Sequence, residues 1–289
     1  MSNRNRIGER THEKKWTKRI VYLCSCALFL FYSVQTDAQD TLRTGKVITN
    51  AQIIGIGHVN QLDTYLSPLE YRGFELRYLS HSIRENNTRI SREIIHQAHF
   101  SSTHNRAENN NELGGLYNFQ YNIQYELGKW NTGSGTLVVK AGGGIDANVG
   151  FLYNTRNSNN PAQAYVNLNL APNATAAYRF RMWKRPFQIR YEAQVPLVGL
   201  MFAPNFGQSY YEIFSEGNYD HNIVPTTIIS TPSLRQMLTF DFTIHHTTVR
   251  LGYLGDFQQA KVNGLKYHTW SNMLIVGLVR KFSITKILP

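Results

Sequence analysis

The sequence predicts an all-β protein, an antiparallel transmembrane β-barrel, on three observations. Long segments of the 289-residue chain alternate strictly between apolar and polar side chains. The N-terminus has the features of an export signal, and beyond it no apolar run reaches the 18 residues expected of a membrane-spanning helix. Alternation places successive side chains on opposite faces of a strand. A barrel in which one strand face lines a polar interior also explains why only 42% of the residues are hydrophobic.

The N-terminal segment is interpreted as a signal peptide that is cleaved near Ala38. Basic residues precede an apolar run over residues 20–34, and Thr36-Asp37-Ala38 follows it. Such a run is short for a spanning helix but fits the apolar core of a secretory signal. The chain is therefore divided into a signal peptide, residues 1–38, and an outer-membrane β-barrel domain, residues 39–289. An uncleaved anchor is the alternative.

Cleavage changes both the cysteine content and the charge of the chain. Cys24 and Cys26 lie inside the signal, so the remaining chain has no thiol for a disulfide, a metal site or a nucleophile. Residues 1–38 hold seven basic and three acidic side chains, which leaves 23 and 16 and lowers the formal charge from +11 to +7. No basic stripe remains, so nucleic acid is not expected as a partner. Outer-membrane lipid and lipopolysaccharide phosphates are the expected partners of this positive charge.

The clearest strand covers residues 117–127, where apolar side chains alternate with amides and a carboxylate over eleven positions. Strands of globular proteins usually have about 5–6 residues, whereas a tilted strand that crosses a bilayer needs roughly 9–11. A two-sheet sandwich also alternates and is the alternative fold, but its strands are shorter. The pattern predicts strands over residues 47–57, 72–82, 89–101, 113–128, 135–152, 163–182, 187–202, 237–247, 248–258 and 267–282.

Seven of these strands are supported by residues that share an apolar face. In chain order they include Phe74, Leu76 and Tyr78; Tyr117, Phe119, Tyr121, Ile123, Tyr125 and Leu127; Val139, Ala141, Ile145, Val149 and Phe151; Val166, Leu168 and Leu170; Tyr178, Phe180 and Met182; Phe187, Ile189, Tyr191 and Val195; Leu238, Phe240, Phe242 and Ile244; and Trp270, Leu274, Val276, Leu278 and Phe282.

The connections between the predicted strands alternate between short and long, as in barrels with short periplasmic turns and long extracellular loops. This order places both termini in the periplasm. The long connections are residues 58–71, 102–112, 153–162, 203–236 and 259–266. Within residues 203–236, the runs 209–214 and 226–231 have strand composition. We therefore predict 10–12 strands and prefer twelve, with ten as the count if these two runs form an extracellular hairpin.

The last predicted strand carries an assembly signal. Gly277 precedes Phe282 by five residues, with spaced apolar positions between them. This resembles the terminal-strand signal read by the barrel-insertion machinery, which is expected as a partner. Arg280 stands where an apolar residue is usual, and seven residues follow Phe282.

One segment carries a family resemblance. Asp63-Thr64-Tyr65-Leu66-Ser67-Pro68-Leu69, followed by Tyr71-Arg72-Gly73, resembles the entry motif of an uncharacterised Bacteroidetes outer-membrane β-barrel family, a domain of unknown function. The signal ending in Ala38-Gln39-Asp40 and the C-terminal strand are similar as well. The resemblance covers nearly the whole mature chain and implies location and fold, without an activity.

The polar face of the predicted strands supplies candidate residues for the lumen. Opposite charges that share a face can pair along or across strands, and the interior of a small barrel is narrow enough for side chains to fill. We therefore expect an internal plug, with a polar channel or a ligand cavity as the alternatives. The predicted lumen charge network contains Glu75, Arg77, Glu126, Lys140, Asp146, Arg179, Arg181, Arg190, Glu192, Asp241 and Arg250.

Catalytic, cofactor and metal sites are not predicted. The pairs His81-Ser82 and Ser102/His104 lack the spacing of the lipid-facing Ser–His hydrolases of outer membranes. His96 and His99, three positions apart on a strand, point to opposite faces and make a poor metal site. Gly142-Gly143-Gly144 is not followed by the helix that phosphate-binding loops need. The expected role is non-enzymatic: envelope structure, surface interaction or small-solute passage. A membrane-embedded lipid hydrolase is the alternative.

Overall fold

The computed structural model describes residues 46–86, 88–183 and 185–284, which form long antiparallel strands and one short helix. The predicted signal peptide lies outside the described residues. The elements are β1 (Lys46–Asp63), β2 (Tyr71–Glu85), β3 (Ile90–Asn105), β4 (Asn111–Thr132), β5 (Gly135–Asn154), β6 (Ala162–Met182), β7 (Arg185–Gln194), β8 (Val198–Phe202), α1 (Tyr210–Phe214), β9 (Ile223–Thr227), β10 (Leu234–Ile244), β11 (Thr247–Val262) and β12 (Leu265–Ile284).

Ten of the strands close into a ring. The order around the ring is β1-β2-β3-β4-β5-β6-β7-β10-β11-β12, and β12 pairs back onto β1. All neighbours are antiparallel, and the first and last strands pair from Lys46–Ile284 to Asp63–Tyr267. A closed ring leaves no open edge, so its backbone donors and acceptors are satisfied between strands. The predicted all-β antiparallel barrel is confirmed, and its ring has ten strands, the lower end of the predicted range.

β8 and β9 stand outside the ring and extend the wall beyond β7 and β10. β7 pairs with residues 173–182 of β6, and β8 pairs with the next stretch of the same strand, residues 166–170. Within the described residues, β9 pairs with β8 alone. Pro196 separates β7 from β8, because proline has no N–H to donate to a ladder. The predicted strand over residues 187–202 is therefore two strands.

The run 209–214 is predicted as a strand both in the preferred count of twelve and in the hairpin alternative, but it is occupied by α1. Ser209 caps this helix: its hydroxyl accepts the N–H of Glu212 at 3.2 Å, and the Glu212 carboxylate accepts the N–H of Ser209 at 2.9 Å. This reciprocal pair is a capping box, which fixes a helix start. Strand composition alone could not reveal it, because the aromatic residues that follow suit either structure.

The end of the barrel that holds Lys46 and Ile284 is called the inner end, and the opposite end is called the outer end. At the inner end β2 is followed by β3, β4 by β5, β6 by β7, and β10 by β11. At the outer end β11 and β12 are joined by Asn263 and Gly264 alone, both with positive φ, at 49° and 74°. The long connection predicted over residues 259–266 is therefore wrong: Asn-Gly is the preferred pair for a two-residue hairpin turn.

The two faces of the wall differ in chemistry. Outward-facing side chains are apolar and exposed: Leu274 is 76% exposed and Leu170 is 59% exposed. Inward-facing polar side chains are buried: Asn118, Asp146 and Ser271 are each 0% exposed. Near the inner end a row of stacked rings crosses the outer face, with centroid separations of 5.4 to 5.7 Å, from Tyr178 through Phe180, Phe187 and Phe240 to Phe242.

The interior also has an apolar side and close backbone contacts. A cluster of buried apolar residues fills the side lined by β1, β2, β10, β11 and β12, and it comprises Ala51, Ile53, Leu79, Met237, Leu254, Met273, Ile275 and Val279. On the opposite side, a Cβ at Gly142 would lie 1.9 Å from the carbonyl oxygen of Ile123 in β4. The glycine-rich run of β5 therefore permits close strand packing.

Within the described ranges, no helix has the length and apolarity that a membrane-spanning helix needs.

Candidate functional site

A chain of buried ion pairs crosses the barrel interior at mid-height. Arg77 of β2 contacts Glu75 of the same strand at 2.6 Å and Asp256 of β11 at 2.6 Å. Arg235 of β10 contacts Asp256 at 3.4 Å and Asp146 of β5 at 3.0 Å. These five residues form the central ion-pair chain. Because β2, β11, β10 and β5 lie around the ring, the chain links opposite walls through the lumen.

Amide side chains add hydrogen bonds at the Asp146 end of this chain. Asp146 accepts from Asn118 at 2.6 Å and from Asn148 at 3.0 Å, besides Arg235. Asn148 in turn donates to Asn167 of β6 at 2.7 Å. A buried charge is tolerated when its remaining lone pairs and protons find partners. Asparagines of strands β4, β5 and β6 supply those partners.

A second group of charges lies nearer the inner end. Arg190 of β7 reaches across the lumen to Glu93 of β3 at 2.8 Å and also pairs with Glu192. His81 contacts the same Glu93 at 2.6 Å. Arg250 binds both oxygens of Asp241, at 2.7 and 2.8 Å. His81, Glu93, Arg190, Glu192, Asp241 and Arg250 form the inner ion-pair cluster.

Three members of the inner ion-pair cluster have the spacing of metal ligands. One ligand atom each from His81, Glu93 and Glu192 lies within 4.8 Å of the other two. Arg190 contacts both carboxylates and already supplies the positive charge that a metal would bring. The geometry is accounted for by ion pairing, so we assign no metal to it.

The inner mouth holds the most open space. Lys140 contacts Glu85 at 2.5 Å, and Arg179 reaches the same carboxylate at 3.4 Å. Beside Arg179 lies a cavity of about 370 Å³, here called the inner vestibule, which Arg181, Asp241 and Lys281 also line. A smaller cavity of about 130 Å³ lies on the other side of Arg179.

The outer end is closed by a polar cap over an apolar layer. Tyr165 and Tyr267 stack at 4.6 Å, packed with Met201, Ala260 and Val262. Beside them, buried Glu112 accepts hydrogen bonds from Asn154 at 3.0 Å and from Gln61 at 3.3 Å. A cavity at this level, beside Tyr165 and Tyr267, has a volume of only about 20 Å³, and one deeper in the barrel, beside Glu93 and Met237, has about 30 Å³, roughly the space of one or two waters. Side chains therefore fill the lumen at these levels.

The Asp63–Leu69 segment forms part of this cap. The Asp63 carboxylate accepts the N–H of Tyr65 at 2.9 Å, and the Tyr65 hydroxyl donates to the carbonyl of Gln208 at 3.0 Å. Burial raises the pKa of the Tyr65 phenol above its ordinary value. The hydroxyl therefore stays protonated and holds the loop against the segment that precedes α1.

The predicted lumen residues fall into two groups. Glu75, Arg77, Lys140, Asp146, Arg190, Asp241 and Arg250 face inward and are buried, and Glu192 is partly buried beside Arg190. Glu126, Arg179 and Arg181 lie at the inner mouth and are more exposed.

Sequence reasoning missed several interior charges. His81 lies an even number of positions from Glu75 and Arg77 on β2, so the alternation rule would have found it, whereas Glu93 lies on β3, for which no face was assigned. Arg235 and Glu112 lay in segments that were assigned to loops. Asp256 lay inside a predicted strand, but the surrounding glycines and aromatics obscure its face.

The hydrolase alternative lacks its central contact. In the residues that the structure describes, no serine hydroxyl hydrogen-bonds to a histidine ring. His81 bonds to Glu93, His96 bonds to the Tyr117 hydroxyl at 2.6 Å, and His104 bonds to the Asn105 carbonyl at 3.1 Å.

Gly277 and Phe282, the predicted assembly signal, lie on β12 with different surroundings. A Cβ at Gly277 would lie 2.5 Å from the Gln52 carbonyl oxygen of β1, so this position needs glycine for ring closure. Phe282 is 45% exposed on the outer face.

Comparison with known proteins gives one family match and several structural likenesses. The model of a family described as a protein of unknown function, DUF3316, matches residues 21–287. No curated protein matches the chain. The transport unit of the autotransporter AIDA-I from Escherichia coli has a TM-score of 0.41 at 6% identity, covering 90% of this chain and 96% of that one.

Two further structures are similar at the same level. The outer membrane protease OmpT from Escherichia coli has a TM-score of 0.40 at 7% identity, covering 86% of this chain and 100% of that one. Neisserial surface protein A has a TM-score of 0.33 at 9% identity, covering 80% and 96%. The barrel architecture itself is given by the strand pairing.

Proposed function

Since the chain belongs to the DUF3316 family of proteins of unknown function, we propose that it is an integral outer-membrane barrel whose lumen is closed by its own side chains. Its role is then non-enzymatic, in envelope structure or in interactions at the cell surface. Small-solute passage is the second role to be tested.

The central ion-pair chain carries this proposal. Arg77 and Asp146 are 1% and 0% exposed, and the ion pairs between them run from wall to wall. In a water-filled pore such groups would be hydrated and free to rearrange. In this structure they contact one another instead of water. Buried charges are stable in this way only where each keeps a close opposite charge. Ion flow through the lumen would require these pairs to separate.

The dimensions and chemistry of the wall support a membrane location. Nine of the ring strands exceed ten residues and β7 has ten, whereas crossing a bilayer takes roughly 9–11 residues. The outer face is apolar around the ring, and the basic, apolar N-terminal segment has the pattern of an export signal. We propose lipid and lipopolysaccharide as its surroundings, and the barrel-insertion machinery as the partner that reads Gly277 and Phe282. The Bacteroidetes origin stays a prediction.

Cell fractionation tests the location. The mature protein, beginning near Gln39, is expected in the outer membrane, and its gel mobility should shift on boiling because closed barrels resist detergent until heated. Recovery of the intact protein from the soluble periplasm would contradict the proposal.

Conductance in planar bilayers tests the closed lumen. Unmodified protein should give almost no steady current, whereas Arg235→Ala removes the residue that joins Asp256 to Asp146 and should open a leak. Arg84→Ala, an exposed residue of β2, is the control and should stay closed. A large, steady conductance of the unmodified protein would make the interior charges a selectivity lining and the protein a solute channel.

The lipid hydrolase is tested separately. Release of fatty acid from phospholipid or lipid A by the purified protein in detergent, lost on changing one serine or histidine, would replace the non-enzymatic proposal.

A further inference from the structure

The inner vestibule has the chemistry of an anion site. Arg179, Arg181 and Lys281 line it, against a single lining carboxylate, Asp241. Both oxygens of Asp241 are already bound by Arg250, at 2.7 and 2.8 Å. Asp241 therefore does not neutralise Arg179 or Lys281 on the cavity wall.

Two cations of the vestibule, Arg179 and Lys281, are only partly used by the protein. Arg179 donates to Gln188 at 3.0 Å and has one distant ion pair, with Glu85 at 3.4 Å, and 48% of its side chain is exposed. No ion pair within 4.0 Å joins Lys281 to a carboxylate in the described part of the chain. Cations that a fold needs for its own stability have close partners, as Arg77 and Arg250 do. Arg179 and Lys281 thus retain donors for a ligand.

The vestibule also offers hydroxyl donors and enough volume. Thr243 and Thr248 line it, and their hydroxyls lie 3.0 Å apart. One of the two donates to the other, which leaves one hydroxyl proton for a ligand. Its volume of about 370 Å³ falls within the roughly 300–1,000 Å³ of small-molecule sites.

We propose that the inner vestibule binds a phosphate group through Arg179, Lys281 and the Thr243/Thr248 hydroxyls. Guanidinium, ammonium and hydroxyl groups are the donors that proteins use for this tetrahedral oxyanion. The phosphate belongs either to a soluble phosphate ester or to a phospholipid headgroup of the adjacent leaflet. Phe180 and Phe187 line the cavity and belong to the ring row on the outer face, so the site lies beside the lipid surface.

Calorimetric titration of the folded protein in a zwitterionic detergent free of phosphate, with inorganic phosphate at constant ionic strength, tests the site. Saturable binding is expected, and Lys281→Gln should weaken it about tenfold through loss of one charge-assisted contact. Arg179→Gln should weaken it comparably. Arg84→Gln makes the same charge change on the outside of β2 and should bind like the unmodified protein. A boiling-dependent gel shift checks that each variant is folded.

A second arm identifies the source of the phosphate. Thermal unfolding is measured in vesicles of phosphatidylglycerol and in vesicles of an uncharged glycolipid, each with and without inorganic phosphate. Stabilisation by phosphatidylglycerol that Lys281→Gln removes supports the site and assigns it to a lipid headgroup. Stabilisation by inorganic phosphate in the glycolipid vesicles supports the site and assigns it to a soluble ligand. The proposal is overturned if neither probe binds saturably, or if Arg84→Gln weakens binding as much as Lys281→Gln.

Discussion

Arg190 lies between two carboxylates, Glu93 across the lumen and Glu192 on its own strand. Arg190 and Glu93 are both buried, and His81 approaches Glu93 from a third direction. The complete set of ion pairs is stable, but removing one member is destabilising, because it leaves its partner as a buried charge without a counterion. The interior residues are therefore best tested in pairs.

The first prediction concerns the Arg190–Glu93 pair. Arg190→Ala should lower the free energy of unfolding by about 3–5 kcal/mol, because it strands Glu93 in the interior. Adding Glu93→Ala should cost less than the sum of the two single changes. Urea unfolding in detergent, followed by tyrosine fluorescence and the gel shift, measures both. Arg84→Ala, on an exposed residue, is the control and should change stability by less than about 0.5 kcal/mol. Additive costs would show that Arg190 and Glu93 do not stabilise each other.

Two breaks from regular strand structure shape the outer end at the scale of elements. Pro196 interrupts the strand that would have continued β7, and Ser209 starts α1 within the following connection. β8 nevertheless keeps to the line of β7, since the N–H groups of Val195 and Leu197 donate to β6 carbonyls at 3.1 and 2.9 Å. The wall is therefore locally irregular but continuous along β6.

The second prediction compares two turn glycines. Gly264 joins β11 to β12 with φ of 74° and has only one atom near its Cβ position, at 3.8 Å. Gly264→Ala should destabilise the barrel by about 1–2 kcal/mol, because an L-residue pays this cost in the left-handed region. Gly133→Ala, in the β4–β5 turn, meets nothing within 4 Å and needs no positive φ, so it should be nearly neutral. Equal thermal stabilities of the two variants would contradict the turn geometry described here.

The barrel reverses the usual distribution of side chains in a soluble protein: large apolar side chains are exposed on its outer face, and charged side chains are buried in its interior. Tyr121 lies in the middle of β4 on the outer face, beside Gln120, which is 1% exposed on the inner face. This arrangement is stable only if lipid or detergent covers the outer face.

The third prediction tests that cover. Tyr121→Arg should cost roughly 2–4 kcal/mol in a bilayer if the position is near the midplane, because it puts a charge against lipid. Tyr121→Phe keeps the size and polarity close to the original and serves as the control. Folding yield into vesicles, read from the gel shift, measures the difference. An unchanged yield for Tyr121→Arg would mean that this face does not contact lipid.

The sequence by itself determined the fold class and the two faces of the strands that alternate regularly. The reason is local: the alternation over residues 117–127 fixes the facing of every residue in that stretch, whatever its partner. It also put Glu75, Arg77, Arg190 and Asp241 on the inner face, because side-chain direction depends only on parity along a strand. The turn at Asn263-Gly264 is also encoded locally, because Asn-Gly favours a two-residue hairpin turn. The sequence analysis nevertheless predicted a longer connection there, over residues 259–266.

Only the tertiary structure decided which charges meet. Arg77 and Asp256 are separated by 179 residues, and Arg190 and Glu93 by 97, so their contacts depend on strand order, register and barrel diameter together. The same holds for the inner vestibule, whose lining comes from strand ends on six strands and the β4–β5 turn. The helix at 209–214 was missed, because both alternatives predicted for this run were strands and a five-residue helix depends on its cap and on the rings that pack against it. Closure of the ring brings the inward faces of all ten strands together into one interior. The contacts made there depend on every strand, so no single segment of the sequence determines them.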